Sequence, residues 1–142
     1  MTLFEPIGTL PPSAEAAGFV PRDGEDAVAR HLLRPLLFAD REVVLLAGFD
    51  TFSRLVGLEC AEGDASGRCI IAPQRWNRLL AQRVATVLMA HNHPSGIARP
   101  SDADIRCTRE VHAFLRLIGV DLIDHLIFVE GGHFSFRHAG LV

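Results

Sequence analysis

Two apolar runs, Val43–Phe49 and Val84–Ala90, do most to limit what this chain can fold into. Each is of strand length and far too short to cross a bilayer. The first, extended to Glu42 and closed by Asp50-Thr51, reads as a buried strand, with Arg54–Cys60 as its hairpin partner. A Gly/Asp/Ser-rich turn over Glu62–Gly67 leads to a third strand near Arg68–Ala72. The second run reads as a strand over Val84–His93.

Helical patterns lie between and before these strands. Val28, Leu32, Leu33, Leu36 and Leu37 recur at helical spacing behind Asp23, Glu25 and Asp26, acids that suit a helix N-terminus, and Pro35 ends or bends that helix. Pro73 suits the first turn of a helix running to about Arg83, with Trp76, Leu79 and Leu80 inward. Ser101 opens a long helix that Gly119 closes, and Val120–Glu130 with His133–Arg137 forms a hairpin across Gly131-Gly132. Residues 1–22, with prolines at 6, 11, 12 and 21, show neither period and read as an irregular arm. Strands and helices therefore mix in one α/β domain over residues 23–142, a reasonable size for a self-sufficient core.

Composition removes several classes of function. All 14 basic residues are Arg, so a lysine nucleophile or Schiff base is excluded. A net charge of -3 argues against a protein whose main task is to neutralise phosphate backbone. Cys60, Cys69 and Cys107 form no CxxC pair, which fits reduced thiols. With neither a secretory signal nor a membrane span, the expected location is cytoplasmic. Arg75 and Arg78 share the outer face of the central helix, either as a solvated face or as a weak site for an acidic partner.

Chemistry concentrates in His91-Asn92-His93-Pro94-Ser95-Gly96 and Pro100-Ser101-Asp102-Ala103-Asp104. Residues two apart on a strand share a side, so His91 and His93 can reach one metal ion. Asp104, in the first turn of the next helix, supplies a third ligand. Three protein ligands leave one tetrahedral position open, the mark of a catalytic rather than a structural zinc site. Ser101-x-x-Asp104 is equally a capping-box signature, in which both side chains bond backbone N–H groups at the helix start.

The ordered string His91-x-His93-x7-Ser101-x2-Asp104 resembles the JAMM motif of MPN-domain metalloproteases. With Pro94, Ser95, Gly96 and Pro100 it is similar to the bacterial RadC family in particular, as is the Asp-His strand Leu122–Ile127. The resemblance covers about residues 24–142. It implies an MPN (JAB, cytidine-deaminase-like) fold, a mixed sheet flanked by helices, acting as a zinc metallopeptidase or isopeptidase on a protein or peptide. It further implies Zn2+ on His91, His93 and Asp104, with Ser101 stabilising the oxyanion and a strand-borne Glu as acid/base. Glu42 matches that Glu by position, and Glu59 is its rival. The other reading is a DNA repair or recombination module whose metal is structural or vestigial, with nucleic acid as partner. Two departures stand out. Only some 22 irregular residues precede the domain where relatives carry a helix-hairpin-helix-like region, and Ala72-Pro73-Gln74-Arg75 replaces a His-Pro-Arg-Glu stretch. His125 and Asp124 read as core or orienting residues; His31, His112, His133 and His138 as surface or packing; Cys107 as a small buried hydrophobe.

Overall fold

The computed structural model describes residues 10–37, 40–62 and 71–142. Among these residues six strands form one mixed sheet in the order β1-β6-β5-β4-β2-β3. They are β1 (Phe19–Pro21), β2 (Val43–Phe49), β3 (Leu55–Glu62), β4 (Thr86–Asn92), β5 (Asp121–Val129) and β6 (Gly132–Ser135). The two apolar runs become the adjacent strands β2 and β4, which pair antiparallel in the middle of the sheet. Their near-complete burial explains why neither alternates with polar residues. Among the described residues strand β3 lies at the end of the strand order, bonded to β2 alone, and does alternate between exposed and half-buried positions.

Helices α2 (Pro73–Leu80) and α3 (Asp102–Leu117) cover one face. There Leu79, Met89, Val111, Leu115 and Leu122 pack together. Gly48 and Gly57 let α2 approach closely, since a Cβ on either would lie 2.9 or 2.8 Å from a Leu79 methyl. The opposite face is covered by a helical stretch, wound as a π-helix over Val28–Leu33 and as a 3-10 turn over Arg34–Leu36. Its Ala29 and Leu33 pack on Leu45, Ala47, Ala90 and Phe128. Asp26 caps that stretch by accepting the Ala29 N–H at 2.8 Å.

Residues 10–22 differ from the irregular arm that the sequence suggests. Pro12–Gly18 is a helix, α1, with proline in its first turn where no N–H is needed, and β1 pairs with β6. A seven-residue helix shows no two-turn apolar period, and a three-residue strand shows no alternation. Helix α2 ends at Leu80, before the expected Arg83. The expected third strand falls largely on residues 68–70, outside the described residues, as does Cys69; residues 71–72 are not strand. Among the described residues no helix is long and apolar enough to cross a membrane.

The topology that matters for function is the parallel pair β4 and β5, joined through α3. Both strands run toward the same sheet end, and α3 starts just beyond it. Crevices at the carboxyl ends of parallel strands are where such sheets gather functional groups.

Candidate metal centre

His91 lies on β4, opposite Val44 on one side and Ile127 on the other. His93 follows directly after β4, held by a bond from its N–H to the Phe128 carbonyl at 3.0 Å. Asp104 occupies the first turn of α3, where Ser101 is the N-cap. The capping box forms in full: Ser101 Oγ accepts the Asp104 N–H at 3.0 Å and Asp104 Oδ2 accepts the Ser101 N–H at 2.8 Å. The cap therefore fixes the carboxylate where the two imidazoles arrive. Because Ser101 Oγ accepts, its own hydroxyl hydrogen stays available to donate.

His91 Nε2 lies 3.1 Å from His93 Nε2 and 3.4 Å from Asp104 Oδ1, and His93 Nε2 lies 3.2 Å from Asp104 Oδ2. Two ligands each about 2.05 Å from a tetrahedral ion sit about 3.3 Å apart. The three spacings are close to that edge, with His91 and His93 facing different oxygens of the Asp104 carboxylate. Glu42 Oε1 lies farther out, 3.8 Å from His91 Nε2 and 3.7 Å from His93 Nε2. Donor atoms of Glu42, His91, His93 and Asp104 all fall within 4.8 Å of one another, so this group could hold a metal ion.

Both Nδ1 atoms are engaged elsewhere, which leaves both Nε2 atoms facing the carboxylate. His93 Nδ1 donates to the Ile97 carbonyl at 2.8 Å, and His91 Nδ1 meets His125 Nε2 at 2.7 Å. Three electron-rich atoms this close repel unless they share a cation. Burial alone would raise the Asp104 carboxyl, but bonds with His91 and His93 outweigh it and hold it far below the usual carboxylate range. Burial likewise works against the His93 cation, yet Asp104 and the Ile97 carbonyl raise its pKa.

The structure separates the two candidate bases. Glu59 lies on β3 and is engaged by Arg78 at 2.9 Å and Arg75 at 3.8 Å, away from the histidines. This also accounts for the arginine face of α2. Glu42 stands beside the cluster, just before β2, while Arg41 pairs with Glu62 instead. The backbone around Glu42 is clamped by Asn92, whose Oδ1 accepts the Val43 N–H at 2.7 Å and whose Nδ2 donates to the Arg41 carbonyl at 3.0 Å. The residue between the two histidines thus points to the other sheet face and holds the strand start that carries Glu42. Strand alternation gives that direction from sequence; the partner it does not.

His125 reaches His91 because β5 slips by one residue opposite Val87 and Leu88. Without that irregularity Asp124 would face the cluster in its place. Asp124 instead turns to the opposite face, where it accepts bonds from Ser135 Oγ at 2.6 Å, His125 N–H at 2.7 Å and Arg137 N–H at 3.0 Å. His133 is a packing residue, its Nδ1 2.6 Å from Glu25. Cys107 packs half-buried against the α2/α3 core and is outside the donor group. Thr108, buried and four residues after Asp104, carries no sequence signal beyond that helical spacing.

A mixed sheet closed by helices, with a His/His/Asp/Glu group at the end of its parallel pair, defines a JAB (MPN) domain with a candidate metal centre. The family model for the RadC-like JAB domain matches residues 23–141, and the chain belongs to the RadC family. It is 36% identical over 116 residues to a UPF0758 protein of Cellvibrio japonicus, covering 78% of this chain and 52% of that one. A UPF0758 protein of Burkholderia mallei is 36% identical over 121 residues, covering 84% and 44% respectively. One from Trichormus variabilis is 31% identical over 118 residues, covering 82% and 49%. The chain spans about half the length of these relatives.

Proposed function

We propose that this chain is a zinc-dependent hydrolase of amide bonds, a metallopeptidase or isopeptidase acting on a protein or peptide. The observation that carries this reading is the convergence of His91 Nε2, His93 Nε2 and the Asp104 carboxylate at 3.1–3.4 Å, the edge length of a tetrahedral site. Nitrogen and oxygen donors in this number suit zinc and leave a position for water. When bound, zinc supplies Lewis acidity and brings the pKa of water toward about 7. Glu42 stands beyond the ligand spacing but within reach of a water between it and the histidines. Its carboxylate accepts the proton of the attacking water and returns it to the departing amine nitrogen. The Ser101 hydroxyl hydrogen, which the capping bond does not use, donates to the carbonyl oxygen as that oxygen gains charge.

The test is cleavage of a peptide library by zinc-loaded chain, by chelator-treated chain and by Glu42→Gln. Cleavage only by the loaded wild type supports the reading. Equal cleavage by the chelated chain, or none by a chain that demonstrably holds zinc, overturns it.

A further inference from the structure

His125 is fully buried, with its ring stacked on Phe136 at 4.6 Å between centroids. It lies between His91 and Thr108, and the polarity of the whole chain of contacts can be worked out from one end. Thr108 Oγ1 donates its single proton to the Asp104 carbonyl at 2.7 Å. It can therefore only accept at its contact with His125 Nδ1, 2.6 Å away. Nδ1 of His125 thus carries a hydrogen. Among the described residues no carboxylate bonds to this enclosed ring, so it is neutral and its Nε2 holds a lone pair. That lone pair accepts from His91 Nδ1 at 2.7 Å. His91 then carries a hydrogen on Nδ1, which leaves Nε2 as the ring atom that faces His93 and Asp104.

We infer that His125 and Thr108 are positioning residues that fix His91 in its ligand tautomer through a one-way hydrogen-bond chain ending on the backbone carbonyl of Asp104. The chain links β4, β5 and α3, so two of the groups that would hold the metal share one support. It rests on the zinc reading for its purpose, but the tautomer itself is a property of the metal-free protein. Losing the Thr108 hydroxyl frees His125 to take the Nε2–H form. His91 must then accept at Nδ1 and carry its proton on Nε2, where it blocks the site.

The experiment is a two-bond 1H–15N spectrum of the histidine rings in the metal-free 142-residue chain, paired with zinc titration against a competing chelator. Wild type is expected to show His91 protonated at Nδ1. Thr108→Val, which keeps shape and loses the hydroxyl, is expected to shift His91 toward Nε2–H and to bind zinc tenfold to a hundredfold more weakly. Thr108→Ser is expected to restore both. A wild-type His91 that carries no hydrogen on Nδ1 overturns the inference without any variant having to fold. A folded Thr108→Val with wild-type tautomer and wild-type affinity overturns it as well. A wild type with the expected tautomer and no zinc affinity defeats the zinc reading alone and leaves the tautomer assignment standing.

Discussion

Glu25→Gln is the substitution whose cost follows most directly from the contacts. The Glu25 side chain is fully enclosed and accepts from Arg34 Nε at 2.7 Å, from Arg34 Nη2 at 2.6 Å and from His133 Nδ1 at 2.6 Å. Arg34 also donates to the Val129 carbonyl at 2.8 Å and the Gly132 carbonyl at 3.1 Å, tying the first helical stretch to the β5–β6 hairpin. Glutamine keeps the size but leaves a largely buried guanidinium without its counter-charge. Breaking one side of such a pair costs about 3–5 kcal/mol. At roughly 3 °C per kcal/mol for a domain of this size, the melting temperature should fall by about 9–15 °C at pH 7. Burial raises the Glu25 carboxyl, but the bonds from Arg34 and His133 win and place it below its ordinary 4.5. Its contribution is therefore complete above pH 4.5 and is lost as pH falls through the lower folded value. The wild type and Glu25→Gln should accordingly converge in thermal melts run toward acid. A variant melting within 2 °C of wild type at pH 7, which is the roughly 0.5 kcal/mol expected of neutral substitutions, or a gap that never narrows as pH falls below 4.5, would refute the argument.

The remaining predictions concern the site and its support. Zinc at about 100 times its dissociation constant should stabilise the chain by about 2.7 kcal/mol, read as a rise of roughly 8 °C in melting temperature that Asp104→Asn abolishes. Glu42→Gln should keep the metal, by elemental analysis, and lose about 10²–10⁴ in turnover of any substrate the library yields. Asn92→Ala removes the clamp on both sides of Glu42 and leaves the buried Val43 N–H unpaired. It should cost about 1–3 kcal/mol in denaturant titration, with turnover falling more than zinc affinity. Met89→Ala, at a fully buried position in the α2/α3 core, should cost about 2–5 kcal/mol in the same titration.

Much of this was legible in the residues, and the exceptions share a cause. Strands β2 and β4 announce themselves because a continuous apolar run of strand length has few other uses. The start of α3 is equally plain, since Ser101 and Asp104 spell out the capping box that forms there. Here the cap and the candidate ligand prove to be one arrangement, with Asp104 accepting the Ser101 N–H while facing both histidines. What sequence could not supply is register. His125 faces His91 only because β5 slips by one residue, and no local pattern marks that slip. Which of Glu42 and Glu59 lies beside the histidines needed the fold too, because both lie at or on strands of one hairpin and only their side-chain partners separate them. Helix α1 and strand β1 escaped because they are shorter than the periods used to find them.

The central claim is that His91, His93 and Asp104 form a zinc site, and direct zinc titration of the metal-free chain tests it. Calorimetry with elemental analysis should give about one zinc per chain, with binding lost in His91→Ala and in Asp104→Asn. A folded wild-type chain that takes up no zinc, or one that binds it as well without His91 as with it, would contradict the account.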